Sequence, residues 1–237
     1  MKAQLLALRQ VGKQAVLGLG FGMGSLKFMK TLRADGKAAS LFEAGELTAL
    51  ICRDMVESFR QTYAAIPRFW SGLEAALRAS LAEHQMEFGK LRITRDGDTS
   101  LVWLPSGRAL RYEHLRLEDR PRTIRFLNAD GQEEDFTPEG QFLLYGGGDG
   151  EVLYGGKLTE NVVQALARDL LAEAVLRLDR RGLRVVFQVH DEVVVEASCD
   201  AAAEAIEVVR TELIRVPDWA AGLPVACEVT DAACYGK

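Results

Sequence analysis

Arg184-Val185-Val186-Phe187-Gln188-Val189-His190-Asp191-Glu192-Val193-Val194-Val195 sets two β-branched runs on either side of three polar residues. β-Branched side chains fit a pleated backbone, and a short polar interruption between two such runs predicts a strand hairpin. Its tip would carry a histidine and two carboxylates beside strands buried on at least one face. Taken alone, such a tip also reads as a solvated turn. Its carboxylates equally suit a hard dication, which takes oxygen donors and keeps water and substrate phosphates in its shell.

Working outward, residues 158–180 predict the longest helix, with Leu158, Val162, Ala165, Leu166, Leu170 and Ala174 on one face bordered by Gln164 and Asp169. Beyond the hairpin, a helix over roughly 200–214 and a short closing strand near Val225–Val229 are expected. Upstream, the β-prone runs Leu91–Thr94, Ser100–Leu104, Ala109–Tyr112, Thr123–Leu127 and Gln141–Tyr145 alternate with turn signals such as Arg95-Asp96-Gly97 and Pro105-Ser106-Gly107. They predict a small, mostly antiparallel excursion between helices. Gly146-Gly147-Gly148-Asp149-Gly150 reads as a flexible loop and lacks the Lys-Ser or Lys-Thr of a phosphate-cradling loop. Helices are expected over 3–17, 46–63 and 67–84, the last two divided at Ile66-Pro67, because proline suits a first helical turn. In the first, Leu5, Leu6, Leu8, Val11, Ala15 and Val16 are spaced for an apolar side, and Gly18, Gly20, Gly22 and Gly24 then end it.

With 48% hydrophobic and 27% charged residues, the 237 residues have the composition of a folded protein with a sizeable core. No run of 18 apolar residues occurs, and the N-terminus enters a helix bearing Arg9 and Lys13 rather than an apolar signal core. The expectation is a cytoplasmic protein with no membrane partner. Cys52, Cys199, Cys227 and Cys234 form no CxxC pair, which predicts reduced thiols and no zinc cluster. Net charge is −5, unevenly spread: residues 1–40 hold seven Lys or Arg against one acid, and residues 191–237 hold three against ten. Such a basic end could grip phosphates and such an acidic end metal ions, although a solvated surface also explains much of the pattern.

Arg9, Lys13, Leu17 and Phe21 follow one another at intervals of four. Residues four apart advance 400° around a helix, so these side chains form a slowly turning stripe: two cations, then an aliphatic residue, then a ring. The stripe could hold a triphosphate at its charged end and a sugar and base at its apolar end, or be an ordinary solvated face.

Arg9-x3-Lys13-x7-Phe21-Gly22 resembles motif B of family A DNA polymerases, and Val189-His190-Asp191-Glu192 resembles their motif C. Gln164-Ala165-x3-Asp169 is similar to the palm helix of that family, and Leu104-Pro105-Ser106-Gly107-Arg108 to a Gly-Arg turn that follows the fingers. Tyr154-Gly155-Gly156-Lys157-Leu158-Thr159-Glu160-Asn161 and Trp219-Ala220-Ala221-Gly222-Leu223-Pro224 look like phage and prophage members.

The resemblance implies an α/β (α+β) palm fragment, with helical fingers over 1–88, a small antiparallel β-rich insertion over 89–157, and the palm helix and hairpin over 158–237. It implies that Arg9 and Lys13 bind the triphosphate of a dNTP, that Leu17 packs on the nucleotide, and that Phe21 lies near the templating base. Asp191 would ligate Mg²⁺ in a two-metal site, with Glu192 as an auxiliary carboxylate; His190, Gln164 and Arg108 would touch primer-template DNA. Three departures accompany it. Phe21-Gly22 replaces Tyr-Gly and Leu17 replaces an aromatic residue, implying altered nucleotide discrimination. Glu160 stands four residues before Gln164, with Asn161 beside it, which puts the family's asparagine contact in doubt. The Asp-aromatic-Ser signature of motif A does not occur. The expectation is therefore little activity from this chain alone, with a separate chain supplying motif A and thumb, or else a non-catalytic remnant that binds DNA.

Overall fold

The computed structural model describes residues 2–235. The chain folds into two compact units: residues up to Trp103 with Ala109–Val162, and Leu104–Arg108 with the residues from Val163 onward. Helices and antiparallel strands are mixed, as expected.

The first unit begins with α1 (Lys2–Leu19), α2 (Ser25–Ala34), α3 (Ala39–Glu43), α4 (Ala49–Thr62) and α5 (Ala65–Glu83). Thr48 starts α4 because its Oγ1 accepts the Ile51 amide at 3.2 Å, filling one of the donors a helix N-terminus leaves open. Pro67 lies in the first turn of α5, where its missing N–H removes no helical bond. Helices α2 and α3 were not anticipated. Their stretch carries apolar residues at helical spacing, and Leu26, Phe28, Met29, Leu32 and Leu41 are buried.

The apolar side expected for α1 is corrected. Ala7, Val11 and Leu19 are buried and Ala15 packs beside them, whereas Leu5, Leu6, Leu8 and Val16 are exposed. The stripe that meets α2, α3 and α4 runs at intervals of four, and residues off that line point away from the core however apolar they are.

Nine strands follow: β1 (Gln85–Phe88), β2 (Leu91–Asp96), β3 (Thr99–Trp103), β4 (Ala109–Tyr112), β5 (Arg116–Asp119), β6 (Ile124–Leu127), β7 (Glu133–Phe136), β8 (Gln141–Tyr145) and β9 (Glu151–Leu153). They form an antiparallel meander β1-β2-β3-β4, a sheet β5-β8-β9 and a hairpin β6-β7. Strands β1, β5, β7 and β9 went unpredicted because charged residues interrupt their alternation. The loop expected to be flexible between β8 and β9 is tied down: Arg116 donates to the Gly146 and Gly148 carbonyls, and Arg120 to that of Asp149.

Helix α6 (Gly155–Arg180) spans the unit boundary at Val162. In the second unit β10 (Arg184–Val189) and β11 (Glu192–Glu196) pair antiparallel with a bulge between Val185 and Phe187, and α7 (Ala202–Ile214) follows. Glu212 of α7, only 3% exposed, receives Arg177 of α6 and Arg181, just past its end, at 3.1 Å each. Trp219 Nε1 donates to Glu173 of α6 at 2.6 Å, which anchors the stretch after α7. Two expectations fail here. Residues 225–229 form no strand, since β-propensity makes a ladder only where a sheet edge is on hand to pair with. No residue of β10 or β11 is fully buried, and Val186 and Phe187 are exposed: a two-stranded sheet has little face to cover.

Candidate functional site

The candidate residues fall into two groups, one in each unit. In the first, Arg9, Lys13 and Leu17 are exposed on α1, and Phe21 is half-buried at its end. The stripe is therefore on a free face, opposite the Ala7-Val11-Leu19 line that packs inward.

The end of α1 is built with care. Gly22 adopts φ +85°, its amide donates to Leu19 O at 3.3 Å, and Met23 N donates to Gly18 O at 3.2 Å. This is a Schellman closure, in which a glycine in the left-handed region satisfies the last helical carbonyls. The Phe21-Gly22 pair thus sets the ring at the very end of the stripe. Around it, Trp70 Nε1 donates to Gly20 O at 3.1 Å. A Cβ on Gly156 would lie 2.4 Å from Phe21 O, and one on Gly155 would lie 2.3 Å from Trp70 O. Only glycines let the start of α6 approach the backbone of Phe21 and Trp70 this closely. Glu74 of α5 accepts the Gly155 amide at 2.8 Å and caps that start, itself held by Arg78 at 2.9 Å. Leu17, Phe21 and Tyr154 line a cleft of about 980 Å³ whose rim includes Arg53, Arg60 and Arg78.

Asn161, beside Glu160 near the start of α6, donates from Nδ2 to the Tyr112 hydroxyl at 3.1 Å. Burial pushes the Tyr112 hydroxyl up to about 12, against some opposing help from the Asn161 bond.

In the second unit Val189 pairs with Glu192, leaving His190 and Asp191 as a two-residue turn. His190 adopts φ +53°. That conformation suits glycine or asparagine in tight hairpins and costs another residue about 1 kcal/mol. Gln188 Nε2 braces the turn by donating to His190 O at 3.1 Å, and Arg168 of α6 donates to Gln188 Oε1 at 2.6 Å. His190 and Asp191 are exposed and Glu192 is half-buried. The Tyr235 hydroxyl donates to Glu192 Oε2 at 3.4 Å while its ring meets Phe187 edge-on at 4.9 Å. Among the described residues, no group of three or more His, Cys, Asp or Glu gathers as a metal cage.

Gln164 is exposed on α6. Arg108 is largely engaged: its Nε pairs with Asp169 at 2.7 Å and its Nη2 donates to Ala165 O at 2.9 Å. Ser106 donates to the same Asp169 at 2.5 Å, so the Pro-Ser-Gly-Arg turn is locked onto α6, with Gly107 at φ +88° allowing the bend. Sequence reading missed Trp70, Glu74, Arg168, Gln188 and Tyr235. Its one signal for the first two was the consecutive glycines opening a helix, poor helix formers that mark a close approach.

No family model matches the chain, and no solved structure matches it. It is similar to the DNA polymerase of Bacillus phage SP02, with 35% identity over 233 residues that cover 94% of this chain and 32% of that polymerase. The chain thus spans about a third of the length of the curated relative it matches. The motifs resemble those of family A DNA polymerases, and the relative matched along nearly the whole chain is a phage DNA polymerase.

Proposed function

We propose that these residues form part of a family A DNA polymerase, transferring a nucleotide from a dNTP to a primer 3′-hydroxyl under direction of a template. On this reading 1–88 are fingers, 89–157 an insertion and 158–237 the C-terminal part of a palm. The observation that carries it is the exposed Arg9-Lys13-Leu17 stripe ending on the half-buried Phe21, ordered ahead of the His190-Asp191-Glu192 tip in a chain similar over 94% of its length to a phage polymerase.

Arg9 and Lys13 bind the triphosphate and neutralise charge that develops on the leaving pyrophosphate. Leu17 packs on the sugar and base, and Phe21 sits beside the templating base. His190 and Gln164 position the primer end and the minor groove without reading sequence, with Arg108 adding a backbone contact. Asp191 offers oxygen donors at an exposed tip with Glu192 beside it, a donor set that fits part of a Mg²⁺ site, since that ion needs only one or two carboxylates besides phosphates and water. When bound, Mg²⁺ supplies activation of the 3′-hydroxyl and stabilisation of the leaving oxygen. The second carboxylate comes from an Asp-aromatic-Ser segment outside these 237 residues.

The test is primer extension with Mg²⁺ and dNTPs, by the chain alone and mixed with a polypeptide bearing such a segment. Extension is expected in the mixture, abolished by Asp191→Ala and lowered about a hundredfold or more by Lys13→Ala. Duplex binding with no extension in either case would replace the polymerase by a DNA-binding remnant.

A further inference from the structure

The hairpin tip is held by a bridge whose middle side chain must both accept and donate. Arg168 can only donate, and the His190 carbonyl can only accept. The group between them must do both: Gln188 accepts from Arg168 at 2.6 Å and donates to His190 O at 3.1 Å. A glutamate there could not donate, and a lysine could not accept. The carbonyl so held belongs to the residue at φ +53°, the one backbone position in the hairpin that an L side chain disfavours. Its neighbours in sequence are Val189, the last paired residue of β10, and Asp191.

We propose that Arg168 and Gln188 are positioning residues: they hold the unfavourable turn at His190 and thereby aim Asp191 from the tip. The geometry stands by itself, while the consequence for a metal ion rests on the polymerase reading above. A glycine at position 190 adopts positive φ freely, so the bridge matters because a histidine occupies that place. An unfavourable backbone conformation at a tip that carries candidate ligands, held in place by a dedicated contact, fits a preorganised site.

The experiment is a double-mutant cycle of Gln188→Met and His190→Gly, read two ways in the full chain. Hydrogen exchange over residues 184–196 should quicken about tenfold in Gln188→Met, the scale of one lost hydrogen bond, with α7 unchanged. In the His190→Gly background the same substitution should change exchange less than about twofold. Equal effects in both backgrounds would overturn the proposal, as would unchanged exchange in Gln188→Met. The second readout is Tb³⁺, an oxygen-seeking probe, its luminescence sensitised by Tyr235 beside Glu192. Half-saturation should rise several-fold in Gln188→Met and stay unmoved in a merely structural bridge, which would overturn the aiming role. Wild-type protein that binds no Tb³⁺ at the tip would sink the metal reading and the aiming role together, leaving exchange to decide the bridge.

Discussion

At the scale of single residues, the end of α1 depends on positions where a side chain has no room. Gly156 is the sharpest case, because a Cβ there would meet the Phe21 carbonyl, which is backbone and cannot swing away. Gly156→Ala is expected to cost about 1–3 kcal/mol, the usual penalty for overpacking, and to shift Phe21. Urea unfolding measures the first, and on the proposed polymerase reading the second appears as weaker dNTP binding with duplex binding unchanged. Gly155-Gly156 was legible in the sequence as part of a phage-like motif, but its reason was not. A close approach joins residues far apart along the chain, and spacing within either segment holds no trace of it. The stripe itself was legible because one helix carries all its members before Phe21 and the 3.6-residue period places them together without help from elsewhere.

Among the elements, α6 is the one to which most of the second unit is fastened. Arg177 and Arg181 reach Glu212 of α7, Glu173 receives Trp219, Asp169 receives Ser106 and Arg108, and Arg168 supports Gln188. A buried carboxylate held by three guanidinium groups, Arg177, Arg181 and Arg215, is costly to break from one side, since the charge of the mostly buried Arg177 remains. Glu212→Ala is therefore expected to lower stability by about 3 kcal/mol, seen as a shifted urea midpoint. Lys30→Ala, which removes only an exposed pair with Glu133, should leave that midpoint nearly unchanged. Helix α6 was predictable from its long apolar period. Its polar anchors were not, because each partner comes from another segment and a lone Glu212 in a helix reads as a solvated residue.

For the molecule as a whole, alkaline pH probes the packing of the first unit. Burial pushes the Cys52 thiol up to about 11 from 9.0, and burial pushes Tyr112 up to about 12 from 10.0. Both are acids whose neutral form the fold prefers. The stability they contribute is fully present below pH 9 and is lost as pH rises through 11 and then 12. The urea midpoint should hold from pH 7 to 9 and fall above it, and Tyr112→Phe should blunt the later part of the fall. A midpoint independent of pH up to 12 would mean that neither group is buried in solution.

What the sequence determined by itself was local and periodic: α1, α4, α5, α6 and α7, the strand hairpin β10-β11, and the order of the two candidate motifs. Each follows from patterns within one stretch of chain, where propensity and spacing act without reference to anything distant. Only the tertiary structure decided which apolar residues of α1 face inward, that residues 225–229 find no edge to join, that Arg108 is bound to Asp169, and that Gln188 spans Arg168 and the His190 carbonyl. These turn on partners brought together by folding. A hydrogen bond or a buried face needs two surfaces, and a stretch of sequence describes only one of them.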